Sequence, residues 1–311
     1  MSIDVVIPTY KPDDRLLQII EKLTHQTQEV RDIILINTEQ KYLENLVRGK
    51  DYDAFGKYVK IKHISMWEFD HGTSRNMGAL MSDADYIIFM TQDAIPYDND
   101  LVKNLLAPFE NENVASCYAR QMPSEDATLA EQFSRLFNYP DQSSIKSQKD
   151  KERLGIKTYF CSNACAMYRR KVFEELGMFP KDMIFNEDMV FAHKVIEAGL
   201  SIAYAADAKV YHSHNYTNSQ QFHRNFDLGV SQAMHPEVFE SVSSEAEGSS
   251  YAKSAYEYFK ANKRTILFIP FAFTCAYRLL GFKLGKNYKK LSHKAILKCT
   301  MSPVYFKKHW S

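Results

Sequence analysis

At 311 residues and 45% hydrophobic, the chain can bury a sizeable core in one large domain or two modest ones, which excludes a disordered polymer. Its five cysteines are odd in number and show no framework spacing, which excludes a disulfide scaffold and points to a reducing compartment. The net charge of +1 conceals an asymmetry: no acidic residue follows Glu257, so 12 of the 39 Lys+Arg stand in the tail and the remaining 27 face 38 Asp+Glu, a net of −11 upstream.

In chain order, residues 5–7 form a short apolar strand that ends at Pro8-Thr9-Tyr10, and Asp13-Asp14 open an amphipathic helix with Leu16, Leu17, Ile19, Ile20 and Leu23 inward. Residues 33–36 read as a second strand, apolar throughout as in a sheet covered on both faces, and a weak helix follows near 42–47. A third strand is expected at 59–64, a helix entered through Gly72 at 73–81, and a fully apolar fourth strand at 86–90. Residues 101–109 are expected to be helical and 114–118 to be a fifth strand. Alternation at this spacing predicts an α/β fold, a mostly parallel, Rossmann-like sheet with helices on both faces. After Arg120 the rhythm changes. A helix at 127–137 precedes a polar stretch, 139–157, that reads as a mobile surface loop. Strand character returns at 159–168, then come helices at 170–176 and 188–198 and two short strands at 202–204 and 209–211. From Thr217 only helical patterns remain, interrupted by an expected linker at 241–250.

The tail carries an apolar stretch, 265–280, broken by Pro270 and marginal for a span of about 20 residues. Lys283, Lys286, Lys289, Lys290, Lys294 and Lys298 follow, interleaved with Leu284, Tyr288, Leu291, Ile296 and Leu297. That pattern suits helices lying on an anionic membrane surface; the alternative is a helical subdomain or homodimer interface with a solvated basic face. No nucleic-acid-binding motif accompanies the charge, so nucleic acid is not an expected partner. The start of the chain runs directly into a strand without a charged and then apolar leader, and the expected location is cytoplasmic, peripheral on the inner face of the plasma membrane.

Four polar stations close apolar runs. Asp93, after the strand at 86–90, stands where ligands bind in an open parallel sheet and can hold a divalent cation, although a turn aspartate before Ile95-Pro96 has the same sequence. Gly72-Thr73-Ser74-Arg75-Asn76 enters a helix whose free N–H groups favour a phosphate, with Arg75 able to fork onto a diphosphate. Glu187-Asp188 opens a helix; Asp188 is the candidate general base and Glu187 its support, the alternative being simple dipole partners. His212 and His214, two apart on a strand, face one side, and one of them with Asp93 can hold Mg²⁺ or Mn²⁺. Cys161 and Cys165 lack a second pair and read as small buried hydrophobes rather than a zinc site.

Together these residues resemble the family-2 glycosyltransferases with the GT-A fold, and more narrowly the bacterial rhamnosyltransferase-like members, over about three quarters of the chain. Pro8-Thr9-Tyr10 resembles the family's nucleotide-side turn, and the run from Phe69 to Gly78 is similar to its Phe-x-His-Gly-x-x-Arg-Asn-x-Gly motif. Gln92-Asp93-Ala94 falls where the family has Asp-x-Asp, with Thr91 in place of the first Asp. Residues 163–179, with Arg169-Arg170, Phe173 and Gly177, resemble the acceptor side, Glu187-Asp188 the family's Glu-Asp pair, and His212-Ser213-His214-Asn215 its late metal-binding histidine. Asn37-Thr38-Glu39 replaces the usual acidic base-reading turn, which argues against uridine and leaves thymidine open.

The resemblance implies a GT-A domain over residues 1–215 and a basic helical region over 216–311. It implies inverting transfer of a sugar, L-rhamnose from dTDP-β-L-rhamnose, to a saccharide on a lipid carrier, in bacterial cell-surface polysaccharide synthesis. The donor would lie against Pro8, Thr9, Tyr10, Asn37, Gly72, Arg75, Asn76 and Gln92, and Mn²⁺ or Mg²⁺ on Asp93 with His212 or His214. A nucleotidyltransferase is disfavoured because Pro8-Thr9-Tyr10-Lys11-Pro12 stands where such enzymes carry a Gly-rich loop; a non-catalytic carbohydrate binder and a metal-dependent hydrolase are the remaining alternatives.

Overall fold

The computed structural model describes residues 1–50, 53–240 and 245–310. Its strands are β1 (Ile3–Tyr10), β2 (Asp32–Thr38), β3 (Val59–Ile64), β4 (Tyr86–Met90), β5 (Ile95–Pro96), β6 (Val114–Met122), β7 (Ser144–Lys146), β8 (Cys165–Arg169) and β9 (Ser201–Tyr211). They form one sheet in the order β3-β2-β1-β4-β8-β6-β9-β5, with β7 also on β9. β1, β2, β3, β4, β6 and β9 run in one direction, while β5, β7 and β8 are reversed. The fold is therefore α/β of the GT-A kind, with β8 as the one reversal inside the central path.

The apolar runs explain the layers. β1, β2 and β4 bury both faces. Val5, Ile7, Ile33, Leu35 and Ile88 meet the inward side of the Asp14–Thr24 helix, and Val6, Ile34, Ile36, Ile87 and Phe89 belong to the opposite layer. Gly78 of the His71–Ala79 helix lies so close to β1 that a Cβ would sit 2.3 Å from Val6 Cγ1.

Five expected elements differ. Strand structure begins only at Cys165, not at 159, because Asn163 spends its backbone N–H and side chain on the Asp188 and Glu187 carboxylates instead of a ladder. The two short strands near 202 and 209 are one strand, β9, with an irregular register between Ala205 and Lys209 against β6. The polar stretch 139–157 is ordered: β7 pairs with β9, and buried Lys146 donates to the Lys157 carbonyl (3.1 Å) and the Phe160 carbonyl. Pro270 does not break its helix, because it lies in the first turn of Phe268–Lys286, where a missing N–H costs nothing. Of the expected linker, residues 241–244 lie outside the described residues, and a helix, Glu245–Ala261, begins at once after them.

The C-terminal helices share clusters with the sheet body. Phe226, Val230, Ile296 and Phe306 pack with Ile184, and Phe259 and Phe271 pack with Phe133. The Phe268–Lys286 helix lies against Asn218–Met234 through glycine notches: a Cβ on Gly281 would meet the Phe222 carbonyl at 2.2 Å, and one on Gly285 the Phe226 carbonyl at 2.1 Å.

Candidate active site

The carboxyl-terminal rim of the sheet collects the polar stations. β4 delivers Asp93 one turn past its end, β9 delivers His212 and His214, and β6 delivers Gln121 between them. His212 Nε2 lies 3.4 Å from Asp93 Oδ1, His214 Nε2 lies 3.7 Å from Asp93 Oδ2, and the two Nε2 atoms are 3.1 Å apart. Both histidines, not one, therefore converge on Asp93, and the three ligand atoms lie within 4.8 Å of one another.

Gln121 fixes the histidine tautomer. Its Oε1 accepts from Arg135 Nη1 and lies 2.8 Å from His212 Nδ1, while its Nε2 donates to Ser162 Oγ at 2.8 Å. An oxygen already accepting from a guanidinium requires the proton on Nδ1, which leaves the His212 Nε2 lone pair turned to Asp93 and His214. Neighbouring ligands about 2.1 Å from an octahedral ion stand about 3.0 Å apart, so the 3.1 Å histidine pair fits a divalent cation. Burial acts to raise the Asp93 pKa, but its contacts with His212 and then His214 outweigh it and hold the carboxyl below its ordinary range, so Asp93 faces them as the anion. Burial and the neighbouring His212 bring His214 down to about 3, so it is neutral at physiological pH.

The carboxylate pair stands at the start of the Glu187–Glu197 helix. Asn186 before it takes a left-handed conformation (φ 62°), a strain that turns the chain sharply into the helix. Glu187, 6% exposed, forms an ion pair with Arg75 Nη1 (3.1 Å) and accepts a hydrogen bond from Asn163 Nδ2 (3.1 Å). Burial raises its pKa, but Arg75, His71 and Asn163 together carry it below the ordinary range, so it stays ionised. Asp188 is half-buried and accepts from the Asn163 N–H (3.0 Å) and the Met189 N–H (2.8 Å). Burial and the negative charge on Glu187 push it up to about 7. One carboxylate is fixed as the anion and its neighbour is poised to exchange a proton near neutral pH, the separation a general base needs.

Other expected contacts fall elsewhere. Arg75 is buried on Glu187 and the His71 carbonyl (3.0 Å), so it does not reach for a diphosphate. The helix start at Gly72 is occupied: Asp70 Oδ1 accepts from the Thr73 N–H (2.6 Å), and a Cβ on Gly72 would lie 2.0 Å from the Pro180 carbonyl oxygen. Asn76 clamps Phe179, donating to its carbonyl (2.9 Å) and accepting from its N–H (3.1 Å). The Phe69–Gly78 run thus holds the segment that leads into Glu187. Arg169 and Arg170 lie at the opposite end of the sheet from the site, on the carbonyls of Val114, Phe109 and Ala84, because reversed β8 carries its end to the start of β4.

On the nucleotide side, Pro8 lies in register with Ile36, and Thr9 donates to Asn37 Oδ1 (3.0 Å). Asn37 is fully buried with its amide 3.0 Å from His63 Nδ1, so it stands under the rim rather than on it. Gln92 and the Tyr10 backbone exchange two hydrogen bonds of 2.9 Å each, which joins the end of β1 to the residue beside Asp93. Gln121 and Arg135 lie outside the expected site residues, and Asn163, expected only as the start of the acceptor-side segment, holds the carboxylate pair. A polar Gln closing the apolar run of β6 was the one available signal; the roles of Asn163 and Arg135 arise from contacts to Asp188, Glu187 and Gln121 far away in sequence.

A sheet of this topology, with a carboxylate–imidazole cluster and a buried carboxylate pair on its carboxyl-terminal rim, is the arrangement of a glycosyltransferase of GT-A fold. The sequence profile of glycosyl transferase family 2 matches residues 4–177, and the chain belongs to that family. It is 39% identical to the O-antigen chain rhamnosyltransferase RfbN of Salmonella typhimurium over 294 residues, 94% of this chain and 91% of that protein. It is 36% identical to the O-antigen chain rhamnosyltransferase WbaN of Salmonella anatum over 303 residues, 93% of this chain and 91% of that protein. Among solved structures, the mannosyltransferase PcManGT of Pyrobaculum calidifontis, in complex with GDP-Man and Mn²⁺, superposes with a TM-score of 0.61 at 12% identity, over 93% of this chain and 88% of that one. S. aureus TarS 1–349 in complex with UDP-GlcNAc superposes at 0.52 and 12% identity, over 93% of this chain and 92% of that one; both likenesses concern the fold.

Proposed function

We propose that the protein is an inverting rhamnosyltransferase that moves L-rhamnose from dTDP-β-L-rhamnose to a saccharide on a lipid carrier at the inner face of a bacterial membrane, in cell-surface polysaccharide synthesis. The observation that carries the reaction is Asp188, raised to about 7 beside an ionised Glu187 on the same rim as Asp93, His212 and His214. The O-antigen relatives, each covered along nine tenths of its length, support the sugar and the pathway class.

Asp188 takes the proton of the acceptor hydroxyl as that oxygen attacks the anomeric carbon, and a single displacement inverts it. Asn163 orients the base, and Glu187 sets its basicity. Asp93, His212 and His214 would hold the divalent cation, Mn²⁺ in preference to Mg²⁺ because two of the three donors are imidazoles. When bound, such an ion neutralises a departing diphosphate.

The acceptor side is a cleft of about 360 Å³ beside His214 and Met189, carrying Arg135, Arg224 and Arg278. It adjoins a second cleft of about 300 Å³ that ends at Pro270 and Phe271. The stretch Thr265–Lys286 is long and apolar enough to cross a membrane, with only 11% of its most apolar window buried. Ile266, Ile269, Phe273 and Leu280 are more than half exposed on it. Its other face is committed to the Asn218–Met234 helix, so it lies along the membrane surface, with Lys283 and Lys286 at its end toward anionic headgroups. An anionic lipid-linked saccharide would enter along this line.

The test is thermal stability with nucleotide diphosphates. Stabilisation by dTDP above UDP, larger with Mn²⁺, is expected; saturation at 100 Kd corresponds to about 2.7 kcal/mol. A melting temperature unmoved by every nucleotide would end this reading.

A further inference from the structure

We propose that Arg224 and Arg278 receive the phosphate of a phosphate ester whose hydrocarbon chain lies in the smaller cleft at Pro270 and Phe271, so that these two arginines separate a carrier-linked acceptor from a free saccharide. This rests on the lipid-linked acceptor of the reading above and adds the residues that read its anionic link.

Positive charge is left over in the larger cleft. Arg135 is already paired, with Glu131 at 2.7 Å and with Gln121. Arg224 forms no ion pair or hydrogen bond among the described residues; its guanidinium is held by aromatic faces, 4.5 Å from the Phe185 ring centre and 5.8 Å from that of Tyr216. Arg278 forms no ion pair among them either, and its hydrogen bond to the Tyr251 hydroxyl is long, at 3.5 Å. Both side chains are half-buried, and burial, with the charges of Arg135 and Arg278, lowers the Arg224 pKa. A cation held partly out of water with no anion beside it is unfavourable, and an arriving phosphate relieves it. Each planar guanidinium can offer a phosphate two parallel N–H bonds.

The place of Arg278 says what the phosphate is attached to. It lines both clefts and stands where they join. On one side the larger cleft reaches Asn186 and Met189, which flank the Glu187-Asp188 pair. On the other the smaller cleft ends on Phe259, Leu267, Pro270 and Phe271. Leu267 is 40% exposed and its neighbour Ile266 is 72% exposed, so this carbon-lined end runs out to the apolar outer face of the same helical stretch. A ligand spanning the junction carries a polar part toward the base, an anion at the middle and hydrocarbon beyond, which is the order of a saccharide joined through phosphate to a lipid.

The donor's own diphosphate fits these arginines less well. Of the cluster that could hold a cation, only His214 reaches either cleft; Asp93 and His212 line neither. His214 stacks on Tyr216, with 4.8 Å between ring centres and 20° between planes, and Tyr216 in turn borders Arg224. Tyr216 therefore links two anion positions, one for a diphosphate on the Asp93 side and one for a second phosphate on the arginine side.

The experiment is calorimetric titration of the full-length protein with farnesyl diphosphate, a soluble hydrocarbon diphosphate, beside farnesol, inorganic diphosphate and, with Mn²⁺, dTDP. The wild type is expected to bind farnesyl diphosphate about tenfold or more tightly than farnesol or inorganic diphosphate. Arg224→Gln and Arg278→Gln are each expected to weaken farnesyl diphosphate by about tenfold or more and to leave dTDP within about twofold. Arg278→Lys, which keeps the charge and loses the fork, should fall between. Leu267→Asn, at the apolar end, is expected to weaken farnesyl diphosphate by about threefold or more without changing inorganic diphosphate, which decides the matter should an arginine variant fail to fold. Loss of dTDP affinity in step with farnesyl diphosphate would assign the arginines to the donor and overturn the proposal. A wild type that binds farnesyl diphosphate no better than inorganic diphosphate would overturn it too, and in both cases dTDP binding keeps the rhamnosyltransferase reading standing. A wild type that binds farnesyl diphosphate but no nucleoside diphosphate would overturn that reading and leave this site.

Discussion

The two ends of the sheet carry similar residue types and treat them in opposite ways. At the amino-terminal end, buried Asp4 accepts from Arg31 Nε (2.9 Å), Arg31 Nη2 (2.6 Å) and Ser82 Oγ (2.5 Å), and Arg31 also meets Asp83 (2.6 Å). Arg169 and Arg170 there lie on backbone carbonyls and the Tyr86 hydroxyl. At the carboxyl-terminal end, the Thr38 hydroxyl has no hydrogen-bond partner among the described residues, two imidazole nitrogens face each other, and Asp188 is raised by burial and by its neighbour. Close ion pairing holds one rim together; opposed imidazoles and a raised carboxyl leave the other able to bind and to exchange protons.

The largest effect is expected from Asp188→Asn. General-base removal costs about 10²–10⁴ in rate, so turnover should fall by that factor while calorimetry still finds nucleotide binding. Wild-type turnover in this variant would dissolve the contrast between the rims.

Gln121→Leu sharpens the comparison without touching a ligand. Losing a partner that orients a ligating imidazole costs about 10–100-fold in metal affinity, readable as the Mn²⁺ concentration for half-maximal activity. An unchanged Mn²⁺ requirement would show that Gln121 does not set the His212 tautomer.

Next comes pH. Asp188 must be ionised to accept a proton, so turnover is expected to fall about tenfold per pH unit below about 7. Stability has the opposite sign: a carboxyl raised from 3.8 to about 7 costs folding free energy as pH climbs through that window. Asp188→Asn removes the cost and should melt higher than wild type at pH 8 but not at pH 4. Parallel melting curves would contradict this assignment.

The smallest effect on the reaction is expected from the opposite rim. Asp4→Asn breaks a pair whose Arg31 side chain is 39% exposed, so solvent screening reduces the cost to about 2 kcal/mol in urea unfolding. Turnover should stay within about twofold. A large loss of activity from so distant a change would mean that the two ends are coupled.

Periodicity and composition made much of the scaffold legible. The doubly apolar strands at 33–36 and 86–90, the helix with Leu16 and Ile20 inward, and the placing of Asp93 and Glu187-Asp188 at element ends all follow from local pattern. The reversal of β8, which sends Arg169 away from the site, does not, since a five-residue strand carries no mark of its direction. Nor could a buried Arg75 be told from a phosphate-binding one, because its partner Glu187 lies more than a hundred residues away.

By itself, the sequence determined which residues could do chemistry and which strands would be covered on both faces, because those properties reside in side-chain type and in spacings of two or 3.6 residues. Only the tertiary structure decided who meets whom. It turned both histidines toward Asp93, gave Gln121 the tautomer, set Glu187 against Asp188 to separate their proton affinities, and gathered Arg224 and Arg278 into one cleft. Each of these is a through-space interaction between distant parts of the chain, and its strength depends on a burial that exists only once the sheet has formed.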